Sequence, residues 1–426
     1  MAEFAPMISE AKRDITRRRR LSEYEIRFTA GLSDAVNVLR LHPGMSDLIG
    51  ERSCAKAEYG LAGLHSMRTF AETEQFLRGL IEMAVRFSAI FGEVECARRI
   101  DQALRLGAGR GLPGHELTFF SGLVLECPWH FVPGLCLMSY ASFRGQLDAM
   151  ARFTYDSCLG KALWQDEFGK SPSVGVLVRY FKWGPAFVRG EPAIPSDHDY
   201  EYGDRLLESE SVIELLSLIT GLPFQIVAHH SRAEQWFYDL LGDGFDLGCH
   251  YFRRSPVDSD PGRGKEIATE TLVPFQESVE LWAKLPKADR TRARLVVSRL
   301  SGALSRKGSL ALEDRVLDVA IALEILYAVT RKDKLAKWAA VLLADDKRNR
   351  DDIRLKVEAL HDCRTAIVHD LSEPDRGEGT RDVYSGGFAI ARQSLLMHLK
   401  RGAFLSRVDR KLLERGVRPP IDVTSA

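Results

Sequence analysis

The chain has 426 residues, 45% hydrophobic and 28% charged, with a formal net charge of zero. That length excludes one compact core and points to two or three domains, and the neutral balance supplies no whole-molecule field toward nucleic acid or a membrane. Charge is uneven along the chain, however. Residues 285–426 carry 28 Lys and Arg against 20 Asp and Glu, leaving the C-terminal third near +8 and the rest near −8. This favours a polyanionic partner for the C-terminal part, the plainer reading being a domain that happens to be basic.

Residues 1–23 read as a polar, basic lead-in whose Arg17–Arg20 run fits a solvated terminus. No apolar run follows it, so no secretory signal is expected, and no stretch is long and apolar enough to predict a membrane span. Seven scattered cysteines without a C-x-x-C pair read as reduced thiols in a cytoplasmic protein, with no disulfide framework and no bound metal or other cofactor expected. From about 24 to 106 the apolar residues recur every three or four, which predicts helices, and "GAGRGLPGHE" breaks the pattern as a loop.

Between 116 and 270 the runs "LTFFSGLVLECPW", "GLCLMSYASF" and "SVGVLVRYFKW" are β-branched and aromatic, which predicts strands. "RLLESESVIELLSLITG" predicts a helix stopped by Gly221, and "LPFQIVAHH" a further strand. The residues Asp197, His198, Asp199 and Glu201 are of metal-binding type, but their surroundings read better as a solvated acidic loop. His229 and His230 are adjacent and would point to opposite faces of a strand. Trp236, Phe237, Tyr251 and Phe252 read as aromatic core before base-stacking platforms. The literal G-x-G-x-x-G at 109–114 follows a helix, not a strand, and carries Pro113, so it does not read as a nucleotide-binding turn.

From about 275 the helical period sharpens. Val316, Val319, Ala320, Leu323, Leu326 and Tyr327 form one stripe, and Leu335, Trp338, Ala339, Leu342 and Leu343 another. In the next helix Ile353, Val357, Leu360, Ile367 and Val368 mark the buried face, and Arg364 falls in phase with them. A loop containing Pro374 and the glycines 377, 386 and 387 precedes a last helix. The expected fold is therefore α+β: a lead-in and helical region at 1–115, a β-rich α+β domain at 116–270, an all-α bundle at 275–405 and a tail at 406–426.

An arginine inside an apolar stripe needs a carboxylate, a subunit interface or an anionic ligand, because an unpaired buried guanidinium is costly. Asp318 and Glu324, on an otherwise apolar helix, are candidate partners within the chain. His369 lies five residues beyond Arg364. Five residues turn a helix by about 500°, so the two side chains converge only if the helix ends near His369 or the arginine reaches around. The second Arg-x4-His pair, Arg110 and His115, sits in the Gly/Pro break and is assigned no role. His361, two turns before His369, is either a helper or a surface histidine.

The segments "EDRVLDVAIALEILY", "KLAKWAAVLL" and "VEALHDCRTAIVHD" together resemble the Apea-like branch of the HEPN superfamily, over roughly residues 275–405. The resemblance implies a helical bundle that pairs as a homodimer or higher homo-oligomer. It also implies a metal-independent ribonuclease site in which Arg364 and His369 line a cleft between protomers. The residue types suit that chemistry: a neutral imidazole takes the 2′-hydroxyl proton, and a guanidinium stabilises the extra charge on phosphorus. Asp318, Glu324, Thr365 and Asp370 are supporting candidates. Active members commonly carry Asn, Asp or His where Thr365 stands, and a small residue where Asp370 stands. Those departures motivate the alternative, a non-catalytic HEPN protein that binds RNA or a protein partner. A third reading is a purely structural helical dimer with Arg364 salt-bridged to Asp318 or Glu324. The resemblance places the chain in bacterial defence or toxin-like growth arrest, with the N-terminal regions sensing a phage or host trigger.

Overall fold

A computed structural model describes residues 4–17, 68–72, 87–109, 112–125, 128–132, 134–146, 174–188, 197–233, 265–267, 269–306, 308, 311–369 and 378–420, together with isolated positions between 34 and 85. The described residues are mostly helical, with a small and predominantly antiparallel sheet in the middle of the chain. Contacts divide the chain into two units: residues 1–206 with 226–264, and residues 207–225 with 265–426.

The first unit opens with α1, Phe4–Arg17, where a basic lead-in was expected. Its charges mask an apolar pair: Ile8 and Ala11 are fully buried, and the helix packs on α2, Glu93–Gly109. The sheet is built from β1 (Arg68–Glu72), β2 (Leu112–Ser121), β3 (Trp129–Val132), β4 (Leu135–Ser139), β5 (Val174–Val188) and β6 (Gln225–Ala233). The strand order is β3-β4-β5-β2-β6, with β1 paired to β5 in parallel, Arg68 opposite Gly184. Strand β1 lies within the stretch expected to be helical. Strand β2 begins at Leu112, so the second half of the expected Gly/Pro loop is extended chain, and its register sets Leu117 opposite Val178 and Phe119 opposite Val176. Only the first part of "GLCLMSYASF" is strand. Tyr140–Gln146 forms a short helix, α3, that closes one sheet face with Tyr140 and Phe143.

Alternation explains why that face is apolar: Leu117, Phe119, Cys136, Met138, Val174, Val176 and Val178 share it. The opposite face holds Phe120, whose ring lies so close to Gly175 that an added Cβ would sit 2.4 Å from it, so only glycine fits there.

Helix α4, Asp197–Thr220, ends as the sequence implies, with Gly221 at φ +70°. Its first turn includes Asp197, His198 and Asp199, which were expected in a loop. Residues 207–220 of this helix belong to the second unit, where Leu218 O accepts a hydrogen bond from Arg392 at 3.3 Å.

The second unit is a helical bundle of α5 (Thr269–Lys284), α6 (Lys287–Ser305), α7 (Ala311–Tyr327), α8 (Lys332–Leu343), α9 (Lys347–His369), α10 (Glu378–Lys400) and α11 (Arg407–Glu414). Helix α7 is its axis, packing on α6, α9 and α10, and its predicted stripe is buried throughout. Gly386 and Gly387, expected in a loop, lie inside α10. A Cβ on Gly387 would sit 2.9 Å from the Leu360 methyls, so the glycine is what lets α9 and α10 approach. Residues 407–414, within the expected tail, form α11, whose Ser406 and Asp409 make a reciprocal capping box.

Beneath the C-terminal end of α7 lies a dense polar core. The Tyr327 hydroxyl and Ser394 Oγ share a hydrogen bond of 2.9 Å. His398 is fully buried, stacked on Phe404 at 4.8 Å and meeting Tyr327 edge-on at 5.9 Å. Burial, with Arg401 and Arg292 nearby, pushes its pKa down to about 3, so the imidazole is neutral. Arg292 lies over the Phe404 ring at 4.8 Å and donates to Ile325 O at 2.8 Å.

Candidate functional site

The two acids of α7 that the sequence offers to Arg364 have different fates. Asp318, 4% exposed, is used up: Arg299 Nη1 donates to its Oδ1 at 3.0 Å and Arg306 Nε to its Oδ2 at 3.0 Å. Arg306 is held protonated above its ordinary range by that bond. Asp318 therefore ties α6 and the segment after it to α7.

Glu324 faces Arg364. The two side chains are 14% and 28% exposed, and Arg364 Nη2 stands 3.6 Å from Glu324 Oε1. This is an ion pair beyond hydrogen-bond reach, and the enclosed Oε1 accepts no hydrogen bond. Arg364 reaches this position from α9, whose Val357 and Leu360 are buried as the stripe predicts, whereas Val368, expected on the same face, is exposed near the helix end.

The rest of α9 builds around that pair. His361 Nε2 donates to Thr330 O at 3.1 Å. A carbonyl can only accept, so Nε2 carries a proton. Thr365 is exposed and donates its hydroxyl back to His361 O at 2.9 Å, a bond that stays within the helix. Helix α9 ends at His369, which is exposed. Asp370 lies outside the described residues. Cys363 is half-buried, its thiol pKa raised first by burial and then by Glu313, so it is a poor nucleophile.

Beside Glu324 the surface sinks into an open hollow of about 570 Å³. Its apolar wall comes from Ile321, Ile325, Ala328 and Val329, and its polar positions are Glu324, Thr330, Arg331 and Lys334. The hollow exists because α7 stops abruptly. Ala328 adopts φ +52°, a left-handed conformation that costs a non-glycine residue about 1–2 kcal/mol. Val329 N then donates back to Glu324 O at 3.3 Å, the six-to-one bond of a Schellman cap. The cations around the rim all carry acidic partners: Arg331 with Asp333, Lys332 with Asp362 and Lys334 with Glu414. Those pairs are solvent-exposed and weak.

A second polar group, missed in the sequence, lies in the sheet of the first unit. Glu116, Thr118, Arg179 and His229 are all buried, with Glu116 opposite Arg179 across β2 and β5. Thr118 Oγ1 and His229 Nδ1 are 2.9 Å apart. Alternation puts Glu116 and Thr118 on the sheet face opposite Leu117 and Phe119, a pattern that reads as a solvated face, yet both are buried. The set is fully enclosed by the fold, which suits a structural network better than a site.

The structure thus brings Arg364 to Glu324 and not to Asp318. His369 stands at the end of the same helix, and His361 ties α9 to the loop that shapes the hollow. His115 lies on β2, while Arg110, Trp236, Phe237, Tyr251 and Phe252 fall outside the described residues. Among the described residues no group of His, Cys, Asp or Glu could hold a metal ion, and no helix is long and apolar enough to cross a membrane. Comparison with protein-family models, curated proteins and solved structures finds no match.

Proposed function

We propose that the C-terminal helical unit is a metal-independent endoribonuclease of the HEPN type, acting as a homodimer or higher homo-oligomer in the cytoplasm. The observation that carries this reading is a partly exposed arginine that faces its carboxylate partner without a hydrogen bond between them. At 3.6 Å from Glu324 and 28% exposed, Arg364 is held in place but keeps its N–H groups available. His369 ends the same helix. Arg364 would fork two N–H donors onto the scissile phosphate. His369 would take the proton of the 2′-hydroxyl. The 2′-oxygen then bonds to phosphorus as the bond to the 5′-oxygen breaks, giving a cyclic phosphate and a 5′-hydroxyl. The leaving oxygen takes its proton from water or from the second protomer's imidazole. The N-terminal unit would sense a phage or host trigger and restrain cleavage, in a bacterial defence or toxin-like setting.

The Glu324 contact also favours a second reading, in which Arg364 has a structural partner and the protein binds RNA or another protein without cutting. One assay separates the two. Labelled RNA incubated with the purified chain in EDTA is expected to be cut. Arg364→Ala and His369→Ala are each expected to lower the rate at least 100-fold with the helical content unchanged. Retained RNA binding without cleavage favours the second reading, and cleavage lost on chelation rejects the metal-free mechanism.

A further inference from the structure

We propose that the hollow beside Glu324 is a base subsite that selects guanine. Its size lies within the range of small-ligand sites, roughly 300–1,000 Å³, at about 570 Å³. Its wall is apolar where a ring would rest, along Ile321, Ile325 and Val329. One acceptor-only group lines it: Glu324, whose side chain is held 3.6 Å from Arg364 without a hydrogen bond between them. Cations border it, with Arg331 and Lys334 on the rim and Arg364 against the carboxylate.

That combination discriminates among ligands. A carboxylate accepts hydrogen bonds and donates none. Guanine alone among the four RNA bases offers two adjacent N–H donors on its pairing edge, at N1 and N2. Adenine and cytosine each set a lone-pair nitrogen beside their single amino group, and uracil flanks its one N–H with two carbonyl oxygens. Those acceptors would face the Glu324 carboxylate and be repelled. The bordering cations suit the attached phosphates and disfavour a lysine- or arginine-rich peptide, the other ligand an acidic floor could attract. Single-stranded RNA recognition works on unstacked bases read in this way. The geometry also divides the labour of the ion pair: with a nucleotide bound, Glu324 turns to the base and Arg364 to the phosphate. The proposal rests on the ribonuclease reading for its biological sense, since it names the nucleotide that reading leaves open. The binding itself does not require cleavage.

The test uses the full chain titrated with the 5′-monophosphates of guanosine, adenosine, cytidine and uridine, followed by calorimetry or NMR. Guanosine monophosphate is expected to bind at least tenfold tighter than the other three. Glu324→Gln should remove that preference, because one acceptor is replaced by a donor. Val329→Trp, which fills the hollow from the exposed loop, should weaken all four and serves if Glu324→Gln does not fold. Equal binding of the four nucleotides, or none, overturns the proposal, as does Glu324-dependent binding of an oligo-arginine peptide in place of guanosine monophosphate. The two readings fail separately. RNA cleaved with no preference at guanine, by a protein that binds no nucleotide selectively, leaves the ribonuclease standing and removes the subsite. Selective binding of guanosine monophosphate without any RNA cleavage does the reverse.

Discussion

Two carboxylates on one helix, Asp318 and Glu324, are set to opposite purposes. Asp318 is enclosed, and each oxygen receives an arginine at 3.0 Å. Glu324 lies near the helix end, with its one arginine held off at 3.6 Å and an oxygen that bonds to nothing. An acid whose acceptor capacity is filled holds structure together. One that its cation reaches without a hydrogen bond, at the lining of a hollow, contributes less to holding the helices together. The difference comes from what surrounds each: packed helices around the first, and around the second a helix terminus with a strained loop.

The largest expected effect separates the two ends of α7 by pH. His398 lies under the Glu324 end, with its pKa depressed to about 3 by burial and by two guanidinium groups. The unfolded chain binds this proton from about pH 6.5 downward, and the folded chain only near 3. Between those values the unfolded state holds more protons, so stability rises with pH, by up to about 1.4 kcal/mol per unit. It is complete above about 6.5 and falls as acid is added. Protection factors at Leu326 and Tyr327, with the intrinsic exchange rate at each pH divided out, should therefore fall between pH 6.5 and 4, and by more than at the amides around Asp318. His398→Leu should flatten that dependence, and an unchanged slope would refute the assignment.

Next in size is Asp318→Asn. Charge-assisted hydrogen bonds are worth about 1.5–3 kcal/mol each. The arginine partners are roughly half exposed and recover water, so a total loss of about 2 kcal/mol in denaturant unfolding is expected, with nucleotide binding unchanged. Glu324→Gln should show the mirror pattern, with a smaller loss of stability than Asp318→Asn, because the pair it breaks has no hydrogen bond to lose, and with binding changed. Both variants losing stability alike would erase the contrast. The smallest effect belongs to Ala328→Gly. Relief of the φ +52° strain exceeds the added freedom of the unfolded chain, for a net gain of about 0.5 kcal/mol by thermal unfolding.

Much of the bundle was legible because its helices carry their own period. The stripes of α7 and α8 and the end of α4 at Gly221 need only local chemistry. Strand β1 was not legible: five residues paired in parallel to a strand more than a hundred positions later leave no local trace. In α1 the charges hid an apolar pair that packing on α2 reveals. Helix α11 did leave a signal, Ser406 three residues before Asp409, which a search for capping boxes finds. At the candidate site the sequence correctly marked Arg364 as an arginine in need of a partner. Choosing Glu324 over Asp318 required knowing that Arg299 and Arg306 arrive from α6 and its C-terminal junction. The tie from His361 to Thr330 depends on a loop conformation that no spacing encodes.

Arg292 has a consequence for the electric field around the hollow. A helix terminates with its carbonyl oxygens pointing outward and a partial negative charge of about half an electron. Left bare, the end of α7 would push phosphate away from the wall it helps to form. Arg292 gathers the Ile325 and Leu326 oxygens, so that terminus is already neutralised from inside the protein before any anion arrives.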